Sequence, residues 1–200
     1  MRIYIDLGLW HGDLMQRIIE KFPPFDQYIG FEALPNIFAF AEKRFKENKR
    51  VKIYQKAAWI SDGQMKIYKD MGETKGSSFF LSKTTGNLKK NKFTMVETFD
   101  FSKYLQSNFS KDDWITLKIN IEGAEYDLVE HMIETCSIDY INQLFCAWHY
   151  HKLAGFPYGR HIKLIKKLNS LGFPLKGSKQ KDPYNLMRKD FSNRNIRIPV

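Results

Sequence analysis

Short β-branched runs and segments of helical periodicity take turns along most of the chain. RIYIDLG, residues 2–8, predicts a strand that opens the sequence with no leader before it. An amphipathic helix is expected from about 12 to 22, stopped by Pro23-Pro24. Residues 28–32 predict a second strand, and Pro35 takes the favoured first position of a helix reaching about 48. A third strand is expected over 51–59, with Asp62-Gly63 as a hairpin turn into 65–68. Residues 71–92, with three glycines and many Ser, Thr and Lys, read as loop; 93–97 predicts a strand and 101–109 a helix. The apolar run 116–121 suits a strand covered on both faces. Gly123 breaks it, and Ala124, Leu128, Val129 and Met132 recur at helical spacing. A strand over 138–149 and a basic helix over 159–171, closed by Gly172, precede two short strands near 173–177 and 184–189.

This alternation predicts one α/β domain over residues 1–200. Its core is a Rossmann-like, doubly wound, mostly parallel sheet with an antiparallel strand at its C-terminal end.

Composition narrows the class. A chain of 200 residues with 43% hydrophobic and 15% aromatic content can bury a substantial core. Cys136 and Cys146 match neither a zinc spacing nor a disulfide framework, so a reducing compartment is expected. With no signal peptide and no apolar stretch of spanning length in the sequence, the expectation is a soluble, cytoplasmic protein without a transmembrane segment. The net charge of +10 is concentrated: residues 151–200 hold 12 Lys and Arg against Asp182 and Asp190 alone. Such an end can bind nucleic acid, anionic head groups or a phosphorylated substrate, or simply be a solvated lysine-rich surface.

Candidate chemistry gathers at strand ends, where open α/β sheets bind ligands. The first strand ends IDLGLWHG, with Gly8 suited to a tight turn and Gly12 to a close helix start. Asp6-x-Gly8-x-x-x-Gly12 is not the dinucleotide fingerprint. A carboxylate at the strand tip would repel a pyrophosphate and suit a cationic ligand such as S-adenosylmethionine. Glu32, twenty residues after Gly12, ends the second strand where an acidic group can accept ribose hydroxyls. Asp6 or Glu32 could instead cap a helix.

YIDLGLWHG, GFEALP, AAWISDG, GSS at 76–78 and LKINIEGAEYDL resemble the ordered blocks of FkbM-family methyltransferases, from residue 3 to about 190. The resemblance implies a class I methyltransferase fold and S-adenosylmethionine as cofactor. It implies that Asp6, Gly8, Gly12, Glu32 and Ala33 hold the cofactor, with Ala57 and Ala58 near its adenine. The family pattern has Asp where this chain has Asn120, and often Glu where it has Ala147.

The expected activity is O-methyl transfer to a sugar hydroxyl of a glycan or glycoconjugate, with the domain free-standing or fused to a partner such as a glycosyltransferase. Asn120 is expected beside the methyl group, Glu122 on the acceptor side, and His149 as general base, since an imidazole with a pKa of about 6.5 suits neutral pH. Glu122 and His149 would be the ligands of a manganese or magnesium ion, although no metal is favoured. Each residue has a plainer alternative. Glu125 can serve the helix dipole, Lys118 can pair with a carboxylate, His149 and His131 can be structural, His151 can lie on the surface, and Ser77 and Ser78 can cap a turn. The rivals are an RNA 2′-O-methyltransferase, disfavoured because the basic end lacks interleaved aromatics, and a non-catalytic cofactor-binding domain.

Overall fold

A computed structural model describes residues 1–69 and 76–173. In chain order the elements are β1 (Arg2–Leu7), α1 (Asp13–Lys21), β2 (Gln27–Phe31), α2 (Pro35–Phe45), β3 (Val51–Tyr54), β4 (Ala57–Trp59) and β5 (Gly63–Tyr68). They continue with β6 (Phe93–Asp100), α3 (Phe101–Asn108), β7 (Trp114–Ile119), α4 (Glu125–Glu134), β8 (Ile141–Cys146) and α5 (Tyr158–Ser170). Five parallel strands make the central sheet in the order β3-β2-β1-β7-β8. The winding reverses between β1 and β7, which leaves a crevice at the carboxyl ends of those two strands.

Strand alternation builds both layers. Ile3, Ile5 and Leu7 of β1 join the core with Phe101 and Leu105 of α3, Leu128 and Met132 of α4, and Leu164 and Leu168 of α5. Tyr4 points the other way, into a cluster with Met15 and Ile18 of α1 and Ala41 and Phe45 of α2. Both faces are covered, which is why the central strands read as nearly continuous apolar runs.

The structure corrects the sequence reading in three places. The expected strand 51–59 is two strands in different sheets, because the chain leaves the main sheet after Tyr54 and starts a three-stranded sheet, order β4-β6-β5, at Ala57. The expected hairpin at Asp62-Gly63 is not one: β6 slots between β4 and β5, parallel to the first and antiparallel to the second. Asp62 instead accepts a hydrogen bond from the Asp100 amide at 3.0 Å. The strand expected over 138–149 begins at Ile141, after a 3-10 turn at Ser137–Tyr140, and ends at Cys146. The strands expected near 173–177 and 184–189, and with them the antiparallel C-terminal strand, fall almost wholly outside the described residues. Among the described residues no helix is long and apolar enough to cross a membrane.

Candidate active site

The tips of β1 and β7 touch through a glycine. Gly8 has φ +76°, and a Cβ there would lie 2.1 Å from the Asn120 carbonyl oxygen. The Asn120 amide donates to the Leu7 carbonyl at 3.0 Å, and the Gly8 and Leu9 amides both donate to the Phe31 carbonyl. Three strand ends are thereby bound together at the floor of a cleft of about 570 Å³. Of the residues singled out in the sequence, Gly8, Glu32, Ala33, Ala57, Ala58, Asn120 and Glu122 line it.

Glu32 ends β2 at the cleft wall. Its carboxylate accepts from the Trp10 amide at 3.0 Å and the Leu34 amide at 2.9 Å. Burial pushes its pKa up, against these backbone donors. An acidic group held in this way can present its remaining lone pairs to hydroxyls in the cleft.

Asp6 does not line the cleft. On the α1/α2 face of the sheet it stands opposite Lys118 in register, fully buried, with Lys118 Nζ 2.7 Å from Oδ1 and the Tyr4 hydroxyl donating to Oδ2 at 3.2 Å. Burial pushes the carboxyl up, opposed by Lys118 and Tyr4. Lys118 also donates to the Gly8 carbonyl at 2.8 Å and itself lines the cleft. The sequence offered the pairing of Lys118 with a carboxylate as one alternative; the partner is Asp6. Gly12 also stands back from the cleft. Its φ of +79° starts α1, and a Cβ there would lie 2.3 Å from the Phe45 ring, so its lack of a side chain makes room for α2.

The β7 and β8 ends carry a polar chain of contacts. Glu122 has φ +52°, outside the usual range for its residue type. Its carboxylate lies 3.1 Å from Lys83 Nζ, 3.1 Å from Lys152 Nζ and 3.4 Å from His149 Nε2. Burial pushes Glu122 up, but the charges of His149, Lys83 and Lys152 outweigh it and hold the carboxyl below its ordinary value. His149 lies behind Glu122 rather than on the cleft wall, and its Nδ1 is 2.7 Å from Glu125 Oε1. Glu125 is fully buried and also accepts from the Ile121 and Gly123 amides at 3.0 and 2.8 Å. A carboxylate only accepts, so the imidazole donates from Nδ1 to Glu125 and turns its Nε2 to the Glu122 side.

The remaining polar residues fall into place around this chain. Ser78 lines the cleft and donates to the Glu122 carbonyl at 2.7 Å while accepting from the Phe80 amide, so it is both a turn residue and a tie to β7. His131 faces Asp100 at 3.4 Å, away from the cleft, and His151 is exposed. Sequence reasoning missed Lys83 and Lys152, which come from a loop and a 3-10 turn 39 and 30 residues away from Glu122, and whose convergence no local pattern marks. Among the described residues no three His, Cys, Asp or Glu side chains converge as metal ligands. Lys83 and Lys152 already neutralise Glu122, so the donor set does not fit a divalent cation.

The family model described as the methyltransferase FkbM domain matches residues 19–175. The chain belongs to the FkbM methyltransferase family. The match begins inside α1, so β1 and its turn precede it. Among solved structures, an FkbM methyltransferase from Methylobacillus flagellatus KT is similar to this chain, with 11% identity and a TM-score of 0.48. The similarity covers 74% of this chain and 34% of that one, so the FkbM chain described here spans about a third of its length. No curated protein matches.

Proposed function

We propose that this FkbM domain is an S-adenosylmethionine-dependent O-methyltransferase acting on a sugar hydroxyl of a glycan or glycoconjugate. The observation that carries the reading is the arrangement of one cleft between two carboxylate-bearing ends. Glu32 closes β2 on one side, and Glu122, backed by His149 and Glu125, closes β7 on the other.

The residues fit the cofactor. Glu32 would accept its ribose hydroxyls, Ala57 and Ala58 offer a small apolar wall for the adenine, and Gly8 admits close backbone approach. Asn120 would face the reacting end. Asp6 acts through Lys118, holding that ammonium at the cleft floor. When bound, S-adenosylmethionine supplies a methyl group already activated by its sulfonium. The protein's tasks are then alignment and removal of one proton.

Glu122, on the cleft wall, accepts a hydrogen bond from the acceptor hydroxyl and orients it. As the methyl is transferred Glu122 takes that proton and passes it to His149 Nε2 behind it, and Glu125 fixes the ring through Nδ1 and stabilises the imidazolium that results. Such a base suits a hydroxyl acceptor, which does not arrive deprotonated at neutral pH. Labelled S-adenosylmethionine, offered with a panel of sugars and glycoconjugates and with RNA as a second panel, tests the proposal. Label in a sugar product supports it. Label in RNA alone, or in no product while S-adenosylhomocysteine binds, would replace it with one of the two rivals.

A further inference from the structure

Segment 76–84 crosses from the small sheet to the acceptor end of the cleft and is stitched to both strand tips there. Ser78 holds the Glu122 carbonyl, the Ala154 amide donates to the Ser82 carbonyl at 2.7 Å, and the Thr84 amide donates to the Lys152 carbonyl at 2.6 Å. Lys83 pairs with Leu153 in an isolated bridge, which turns its side chain inward. That side chain is only 1% exposed, yet it ends in an ammonium. Its partners are the Gly76 carbonyl and the Glu122 carboxylate, the latter at 3.1 Å. A buried ammonium requires a counter-charge, and Glu122 is the carboxylate that supplies it.

We propose that Lys83 is a positioning residue of the transfer site, its buried ammonium fixing the Glu122 carboxylate against the imidazole of His149. Glu122 needs such a hold. Its backbone is left-handed at φ +52° without being glycine, and Gly123 follows at φ +115°, a conformation that the surrounding contacts must maintain. Lys152 also reaches Glu122, but its side chain is 26% exposed and shares its charge with solvent. The groups facing Glu122 are Lys83, Lys152 and His149; those facing His149 are Glu122 and Glu125, with the His151 ring centroid 6.4 Å away. Within that set Lys83 is the fixed cation. The inference rests on reading Glu122 and His149 as the acceptor-side groups.

The test is a double-variant comparison read at the His149 ring. Nitrogen–proton spectra of the histidine side chains, with His149 assigned through His149→Gln, are recorded for the parent, Lys83→Met, Glu122→Gln and both together. Lys83→Met is expected to move the His149 signals when Glu122 is present and to leave them in place in the Glu122→Gln background. His149 signals that stay put in Lys83→Met, or that move equally in both backgrounds, overturn the inference. If Lys83→Met alone fails to fold, the double variant lacks both buried charges and carries the comparison. It is then expected to match Glu122→Gln alone, and a mismatch overturns the inference. In turnover, Lys83→Met should lose roughly 10²-fold in kcat, with acceptor KM and S-adenosylhomocysteine affinity close to the parent's. Parent-like turnover in Lys83→Met, where His149→Gln is impaired, would overturn the role of Lys83 alone. Parent-like turnover in His149→Gln would instead sink the acceptor-side reading on which it rests.

Discussion

Glu125 Oε1 lies 2.7 Å from His149 Nδ1, joining the first turn of α4 to the chain just beyond β8. Three donors, the Ile121 and Gly123 amides and the imidazole, converge on the two oxygens of this one buried carboxylate. Glu125→Gln replaces one acceptor oxygen with a donor, so one of the three must face a donor instead. The variant should lose about 1–3 kcal/mol of stability. Turnover should fall by about 10²-fold or more, with S-adenosylhomocysteine affinity retained. Urea unfolding and labelled turnover check this, and an unaffected rate would remove Glu125 from the site.

Asp6→Ala leaves Lys118 buried without its carboxylate. The expected result is a loss of about 3–5 kcal/mol, the usual outcome of removing one partner from a buried ion pair. Asp6→Ala together with Lys118→Met should recover much of it. A stable Asp6→Ala protein that simply fails to bind S-adenosylhomocysteine would show instead that the carboxylate meets the ligand directly.

Gly12→Ala should destabilise by about 1–3 kcal/mol through collision with Phe45. If packing is the reason for this glycine, Phe45→Leu in the same chain restores part of the loss, measured by thermal unfolding. Weakened cofactor binding with full stability would assign Gly12 to the ligand.

Glu122 sets the sign of one pH effect. Burial pushes its carboxyl up, but His149, Lys83 and Lys152 together hold it below the ordinary value of 4.5. A depressed acid contributes stability that is complete above its unfolded pKa and is lost as pH falls through its folded one. Burial shifts Glu32 and Asp6 upward, giving the opposite slope, but both are common to parent and variant. The urea midpoint of Glu122→Gln should therefore fall less steeply than the parent's below a pH of about 4.5. Equal slopes would mean that Glu122 is not held ionised by its neighbours.

Much of the frame was legible because the local code and the fold agree. The β-branched run ending at Leu7, the Pro35 helix start and the break at Gly123 each come within a few residues of the observed boundary. Glu32 was legible as a cleft residue because strand-end position is itself a sequence property, whereas Ala57-Ala58 were singled out only through the family resemblance. What failed was tertiary. A turn signal at Asp62-Gly63 cannot say that β6 will separate its two strands. Periodicity also cannot say that Lys118 lies across from Asp6, since that depends on the register between strands over a hundred residues apart. Gly12 showed that a glycine where a cofactor could approach can equally make room for a ring such as that of Phe45. Gly30, whose missing Cβ accommodates Leu9 at 2.6 Å, drew no notice because a glycine inside a short strand signals nothing by itself.

The central claim is that the cleft between β1 and β7 holds a nucleoside-bearing cofactor through Glu32. Calorimetric titration of S-adenosylhomocysteine into the parent and into Glu32→Gln tests it directly. The parent should bind with one site per chain, and the variant should bind more weakly by about 1–3 kcal/mol, the cost of leaving buried hydroxyls poorly paired. Circular dichroism must show that both are folded. Equal affinities, or no binding to a folded parent, would contradict the account.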